Sequence, residues 1–346
     1  MKILAGDIGG THSRLTIIDT DEANENKHRP PNLKNVQQYQ NSDFPNPETL
    51  LQHYLNFSNI QPDFVCLAVA APVPAITAEG QTVTLTNLAW TFSSRKLEQQ
   101  LKLSQITFIN DFAGIPYALT SPFAWIDTSN LFSLQEGSQH SGKANSFSSL
   151  YLGAGTGLGC VIAHQDSDHL SVLQSEGGHC DISGSDSNIR AITQYLEESH
   201  QPICWESLLS GAGLERLFKF VLQQNNMPAI NKSAQEITDL ASGNPENIEG
   251  QVIKLFCTLA GVFSRNMAFS CLPRDIFLVG NIFEIAFNIV SVDHFLTGFH
   301  NTTQHKDILK NINITLVKDT QIGLKGAAAY AMNQFPDLFR GNESKY

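Results

Sequence analysis

Gly6-Asp7-Ile8-Gly9-Gly10-Thr11 and Gly153-Ala154-Gly155-Thr156-Gly157-Leu158-Gly159 decide how this chain is read. Aligning Gly10-Thr11 with Gly155-Thr156 puts the same device once in each half. Each turn lies between apolar runs that read as strands. Ile3 to Ile8 and Ser13 to Asp19 flank the first; Ser148 to Leu152 and Gly159 to Ala163 flank the second. Glycine permits positive φ and lacks the side chain that would keep a polyanion away from backbone N–H groups. A facing pair of such turns can hold a nucleotide triphosphate. A single Gly-rich turn is ordinary hairpin chemistry, so the repetition carries the argument. Neither turn closes in Gly-Lys-Ser/Thr, and a strand rather than a helix follows each. That argues against a P-loop, a dinucleotide fold and a nicotinamide or flavin enzyme.

At 346 residues the chain has room for two domains or one large one. Its net charge of −11 argues against nucleic acid, whose affinity comes mainly from Lys and Arg on phosphate. No apolar run reads as a membrane span, and Asp7 interrupts any signal-like segment. The six cysteines contain no Cys-x-x-Cys pair and read as scattered buried thiols. They suit a reducing compartment, and a cytoplasmic protein is the expectation.

The polar stretch from Asp21 to Pro47 reads as a long loop around an edge strand, followed by a helix from Pro47 to Phe57. Strands are expected at Phe64 to Ala70, Thr82 to Thr86 and Ile106 to Ile109, with a helix capped by Ser94 and another from Phe112 to Leu119. After a loop from Gln135 to Ser149 the second hairpin begins, and helices follow. They are expected at Asp186 to Ser199, Gly213 to Gln223, Ser233 to Ala241 with a Ser233/Glu236 capping box, and Pro245 to Cys271. Strands at Asp275 to Val279 and Ile312 to Val317 precede a helix from Gly323 to Phe335, whose Gly326-Ala327-Ala328-Ala329 face invites close packing. The sum is an α/β architecture with a duplicated core and a cleft between lobes. Ligands of such sheets bind beyond the carboxyl ends of strands, where Asp7, Asp111 and Gly280 fall.

Asp111 follows a buried strand and has the amide of Asn110 beside it. A carboxylate there can accept the proton of a hydroxyl that attacks phosphorus, and it can equally cap a helix; both readings stand at this point. Asp7 repels phosphate, so beside a phosphate cradle it makes sense through Mg²⁺ or a metal-bound water; the alternative is an Asp bonding its own turn. Glu176-Gly177-Gly178-His179, with Glu206 further on, offers two carboxylates and an imidazole, which suit the hydroxyls of a sugar. Taken singly, His179 also reads as a satisfied loop histidine and Glu206 as a solvated charge. A zinc site at His179, Cys180 and Asp181 carries little weight, because no cysteine cluster completes a tetrahedron.

Together these segments resemble the bacterial glucokinases of the hexokinase/actin-like superfamily, in the group without a zinc motif. The matching pieces are Gly6 to Thr11 with Arg14, Thr86-Asn87-Leu88-Ala89-Trp90, Ile109 to Phe112, Gly153 to Gly159, Glu176 to His179, Glu206 to Leu214 and Gly323 to Ala328. The resemblance implies a two-lobed, actin-like (ribonuclease H-like) sugar kinase fold, with 1–111 plus 323–346 as the small domain and 112–322 as the large one. It implies phosphorylation of the 6-hydroxyl of D-glucose by MgATP, at the head of glycolysis, in a cytoplasmic homodimer without zinc. Asp111 would be the general base, with Asn110, Asp111, Glu176, His179 and Glu206 on the sugar. Gly6, Asp7, Ile8, Gly9, Gly10, Thr11, Gly155, Thr156, Gly157 and Gly280 would serve ATP, with Asp7 toward Mg²⁺. The chain departs from the family at His12, usually Asn; at Ala154, usually Pro; and at Asn281, where a second glycine is usual. His12 and Asn281 keep a sugar-binding regulator without turnover as a rival, and a kinase of another hexose is a third possibility.

Overall fold

The computed structural model describes residues 1–21, 30–85, 88–120, 125–137, 146–167, 169–184 and 187–335. Thr86-Asn87 of the resemblance, parts of both expected loops and the expected helix start at Asp186 lie outside them. The chain divides into two compact units, Met1–Thr128 with the segment from Thr320 onward, and Ser129–Asp319.

The first unit contains strands β1 (Lys2–Ile8), β2 (His12–Asp19), β3 (Lys34–Gln40), β4 (Phe64–Val69), β5 (Thr82–Thr84), β6 (Thr91–Ser93) and β7 (Ile106–Asn110). Five of them form a sheet in the order β3-β2-β1-β4-β7. β3, β2 and β1 make an antiparallel meander; β1, β4 and β7 run parallel. The second unit contains β8 (Leu131–Gln135), β9 (Ser146–Ala154), β10 (Leu158–Asp166), β11 (His169–Ser175), β12 (Asp275–Val279) and β13 (Asn313–Val317), in the order β11-β10-β9-β12-β13-β8. β11-β10-β9-β12-β13 repeats the first sheet strand for strand and sense for sense, with β8 added beyond it. The duplication read from two glycine turns is therefore a duplication of whole sheets.

Each unit has its own core. β4 is buried at every position, as a parallel strand covered on both faces must be. The helix Ile322–Asn333 lies against β1 and β4, and the helix Ile115–Thr120 lies against it. Gly326 makes that crossing possible: a Cβ there would stand 2.6 Å from the carbonyl carbon of Gly114. In the second unit the helix Ile248–Cys271 runs through the core. Contrary to the sequence expectation, it is long and apolar enough to pass for a membrane span, but two-thirds of its apolar stretch (67%) is buried in protein.

Caps account for several helix starts. Asn46 accepts from Thr49 N–H at 2.9 Å ahead of Pro47, and the Ser233/Glu236 capping box forms as expected. Two expectations are corrected. Ser93, not Ser94, caps the helix Ser94–Leu101, because Ser94 Oγ is turned inward to accept from Gln81 N–H at 3.0 Å. The helix expected from Phe112 begins only at Ile115, since Asn110 Oδ1 takes the N–H groups of Phe112 and Ala113 into a turn. The sequence reading also passed over β6, β8 and β11 and the helices Asn281–Ile289, Asp293–His300 and Lys306–Lys310.

Replacing Gly326 by Val should drive two backbones apart. The expected cost is about 1–3 kcal/mol of stability, read by urea denaturation.

Candidate active site

The carboxyl ends of β1, β4 and β7 are level: Ile8 stands beside Val69, and Val69 beside Asn110. The first glycine turn and Asp111 therefore leave the same sheet edge two strand spacings apart, roughly 10 Å. Asp111 N–H continues the ladder to Val69 O at 3.0 Å. Its Oδ1 accepts from Phe112 N–H at 2.9 Å and from Asn110 Nδ2 at 3.1 Å, and the other Asn110 amide hydrogen goes to Ala71 O at 3.2 Å. No helix starts at Asp111, and the turn is capped by Asn110 instead.

In the first turn, Ile8 pairs with Ser13, and Gly9 N–H closes onto His12 O at 3.0 Å. Positive φ is not used here, contrary to the expectation for these glycines; among the described glycines it occurs at Gly80 and Gly280. The turn is braced from outside by the buried Asn41. Its Nδ2 donates to Gly9 O at 2.8 Å, its N–H to Thr11 O at 2.8 Å, and its Oδ1 accepts from Ser13 Oγ at 2.6 Å. The sequence reading missed Asn41, since it sits in the polar stretch taken as loop. Gly6 and Ile8 face the core, where a Cβ on Gly6 would meet Leu15 and Leu67 at 2.7 Å. Gly9 and Gly10 are partly covered and Thr11 is exposed.

Asp7 points the other way from Gly6 and Ile8. A Cβ on Gly323, in the first turn of the helix Ile322–Asn333, would lie 2.9 Å from its Oδ2. Arg14 Nη1 stands 3.7 Å from that oxygen and donates to Thr320 O at 2.9 Å, while Arg14 Nε donates to Gln38 Oε1 at 3.1 Å. Burial raises the Asp7 carboxyl above its ordinary value, and the Arg14 charge only partly opposes that. A carboxylate left short of positive charge beside a glycine turn has the chemistry of an Mg²⁺ partner, since that ion uses one or two carboxylates and keeps several of its waters.

The second turn is shorter by one residue, because Ala154 pairs directly with Leu158. Gly155 N–H closes onto Gly157 O at 2.9 Å, and Gly211 N–H donates to Gly155 O at 2.9 Å. Glu206, in the 3-10 turn Trp205–Ser207, braces it: its Oε2 accepts from Leu158 N–H at 2.8 Å. Glu206 is thus no merely solvated charge. Across Leu158, a Cβ on Gly178 would lie 2.3 Å from Leu158 O, so the Glu176–His179 segment is seated on the same residue. Glu176 and His179 themselves are open, 70% and 59% exposed, with His179 Nε2 3.8 Å from Glu176 Oε2. Thr156 is exposed at the tip of the turn. Gly280 has φ +97, and a Cβ there would meet Ala154 O at 2.6 Å, which demands glycine at the mouth of the helix Asn281–Ile289. Asn281 is exposed at that helix's first position.

Among the described residues, no group of three or more His, Cys, Asp and Glu is placed to hold a metal ion. The cysteines are not uniformly buried as expected: Cys180 is exposed, whereas Cys66, Cys160 and Cys257 are buried. Burial pushes the Cys160 thiol up to about 12 and that of Cys271 to about 11.

A family model described as Glucokinase matches residues 4–334. The chain is 31% identical over 341 residues to a glucokinase of Colwellia psychrerythraea, covering 96% of this chain and 97% of the relative. Among solved structures it is similar to a glucokinase from an Antarctic psychrotroph, with a TM-score of 0.78, 27% identity, and coverage of 96% and 99% of the two chains. It shares its fold with a glucokinase of Balamuthia mandrillaris solved in complex with glucose, at a TM-score of 0.78, 19% identity, and coverage of 96% and 93%.

Two outcomes are expected. With its pKa raised in the fold, an ionised Asp7 opposes folding; that penalty is absent below the ordinary Asp value of about 3.9 and grows as pH rises through the folded one. Asp7→Asn should therefore melt higher than the parent at pH 8, with the difference shrinking toward pH 4 in a thermal-melt series. Iodoacetamide at pH 8 should label Cys180 well before Cys160 or Cys271, as mass spectrometry of the digest will show.

Proposed function

Because the chain belongs to the glucokinase family, we propose that it transfers the terminal phosphoryl group of ATP to the 6-hydroxyl of D-glucose. The observation that carries the mechanism is the level carboxyl edge of β1, β4 and β7, which delivers Asp111 and a glycine turn together. Asp111 is the general base. Its Oδ1 accepts from Asn110 Nδ2 and Phe112 N–H, which hold the carboxylate that is to take the proton of the sugar hydroxyl. Taking that proton as the oxygen attacks phosphorus contributes roughly 10²–10⁴ in rate.

The sugar is held by Glu176, His179 and Glu206, with Asn110 at the reacting end. Carboxylates accept from ring hydroxyls, in charge-assisted bonds roughly twice as strong as neutral ones. The open faces of Glu176 and His179 suit a ligand that brings its own hydroxyls. The donor's phosphates lie on the backbone of Gly9, Gly10 and Thr11 and of Gly155, Thr156 and Gly157. Gly280 clears room at a helix N-terminus, where partial positive charge favours an anion. Asp7 would hold Mg²⁺ through water, and the ion when bound supplies neutralisation of the charge on the transferring phosphoryl group. The remaining acceleration comes from positioning and electrostatics, as expected where little covalent chemistry falls to the protein. The reading carries with it a cytoplasmic homodimer feeding glycolysis.

Glucose with MgATP should release ADP with saturation in both substrates. Asp111→Asn should cut kcat roughly 10²–10⁴-fold while glucose affinity stays within a few-fold. A variant that keeps full turnover removes Asp111 from the role of base. Run against a hexose panel, the same assay separates glucose from mannose, fructose and amino sugars.

A further inference from the structure

We propose that Glu206 couples the two substrates: one carboxylate binds a glucose hydroxyl through Oε1 and holds the donor's glycine turn through Oε2. The inference rests on the sugar role assigned to Glu206 above and adds what the second oxygen does.

The contact with the turn is direct. Glu206 Oε2 accepts from Leu158 N–H at 2.8 Å, at the point where the turn re-enters β10. Gly157 has no Cβ, and one there would stand 2.7 Å from the same oxygen. Gly157 is not at positive φ, so a Cβ there would displace the carboxylate rather than strain the backbone. The segment that carries Glu206 is itself anchored. Trp205 is buried against Phe263, Ser210 Oγ donates to Glu206 O at 2.8 Å and accepts from Gly213 N–H at 3.1 Å, and Gly211 N–H reaches Gly155 O. What remains adjustable is the carboxylate at the end of its side chain.

A carboxylate has two acceptor oxygens in a fixed plane. A sugar hydroxyl on Oε1 fixes that plane and so fixes where Oε2 meets Leu158 N–H. The ordering of the turn is then already accomplished when the nucleotide arrives, and its binding tightens. By linkage, nucleotide on the turn tightens glucose by the same factor. An amide in place of the carboxylate cannot do both. With its oxygen on Leu158 N–H it offers the sugar only a donor; turned round, it sets N–H against N–H at the turn. Glu206→Gln therefore keeps the shape and loses the link.

The test measures the affinity of a non-hydrolysable ATP analogue with Mg²⁺, with and without saturating glucose, in the parent, Glu206→Gln and Gly157→Ala. In the parent, glucose should tighten the analogue about fivefold or more. The factor should fall toward one in both variants. In the isotope-labelled parent without nucleotide, the Leu158 amide signal should shift as glucose is added; this arm needs no variant to fold. A parent factor of one, an unchanged factor in the variants, or a Leu158 signal that stays put while glucose binds each overturns the coupling. Absence of glucose binding and turnover in the parent would instead overturn the kinase reading, and the coupling with it.

Discussion

The mechanism proposed depends on keeping two loops of nearly bare backbone still. A phosphate cradle works by presenting N–H groups without side chains in the way, and glycine meets that need while having the most conformational freedom to lose. Each turn removes that freedom twice. A short bond closes it internally, from Gly9 to His12 in one and from Gly155 to Gly157 in the other. A polar side chain from elsewhere in the sequence then braces it: Asn41 for the first, Glu206 for the second. The two braces differ in kind. Asn41 is buried and neutral, with its side-chain bonds made to Gly9 and Ser13, whereas Glu206 is partly open and charged. The first turn is fixed by the fold, and the second is fixed by a group that also meets a ligand in the mechanism proposed.

Much of the fold was legible because its signal is local. Gly-rich turns between apolar runs located both hairpins, and their recurrence anticipated the repeated sheet. Strands with alternating burial at an edge were harder. β11 alternates exposed and partly covered positions and contains no strong apolar run, so nothing in His169 to Ser175 distinguishes it from loop. The helix Ile248–Cys271 shows the opposite failure: its composition is that of a membrane span, and only its neighbours in the core explain it.

At the site, residue types pointed to chemistry, but partners were invisible. Nothing in the sequence says that Arg14 reaches Thr320, or that the carboxylate of Glu206 lands on Leu158. These pairs are separated along the chain, so no spacing rule finds them. The positive φ ascribed to the turn glycines was the right property at the wrong place, since it belongs to Gly280 beside Ala154. The helix-cap reading of Asp111 fails because of its neighbour: Asn110 closes the turn, and the helix starts later at Ile115.

The first unit takes its covering helix, Ile322–Asn333, from the far end of the polypeptide, and β1 and β4 lie beneath it. On the ribosome, the sheet therefore emerges long before the element that shields it. At ~5–20 residues per second the wait lasts tens of seconds, while Ser129–Asp319 is complete in sequence and free to fold. During that interval the apolar face of a nascent sheet is open to chaperones and to neighbouring chains. The order of synthesis thus makes the amino-terminal half the later one to mature.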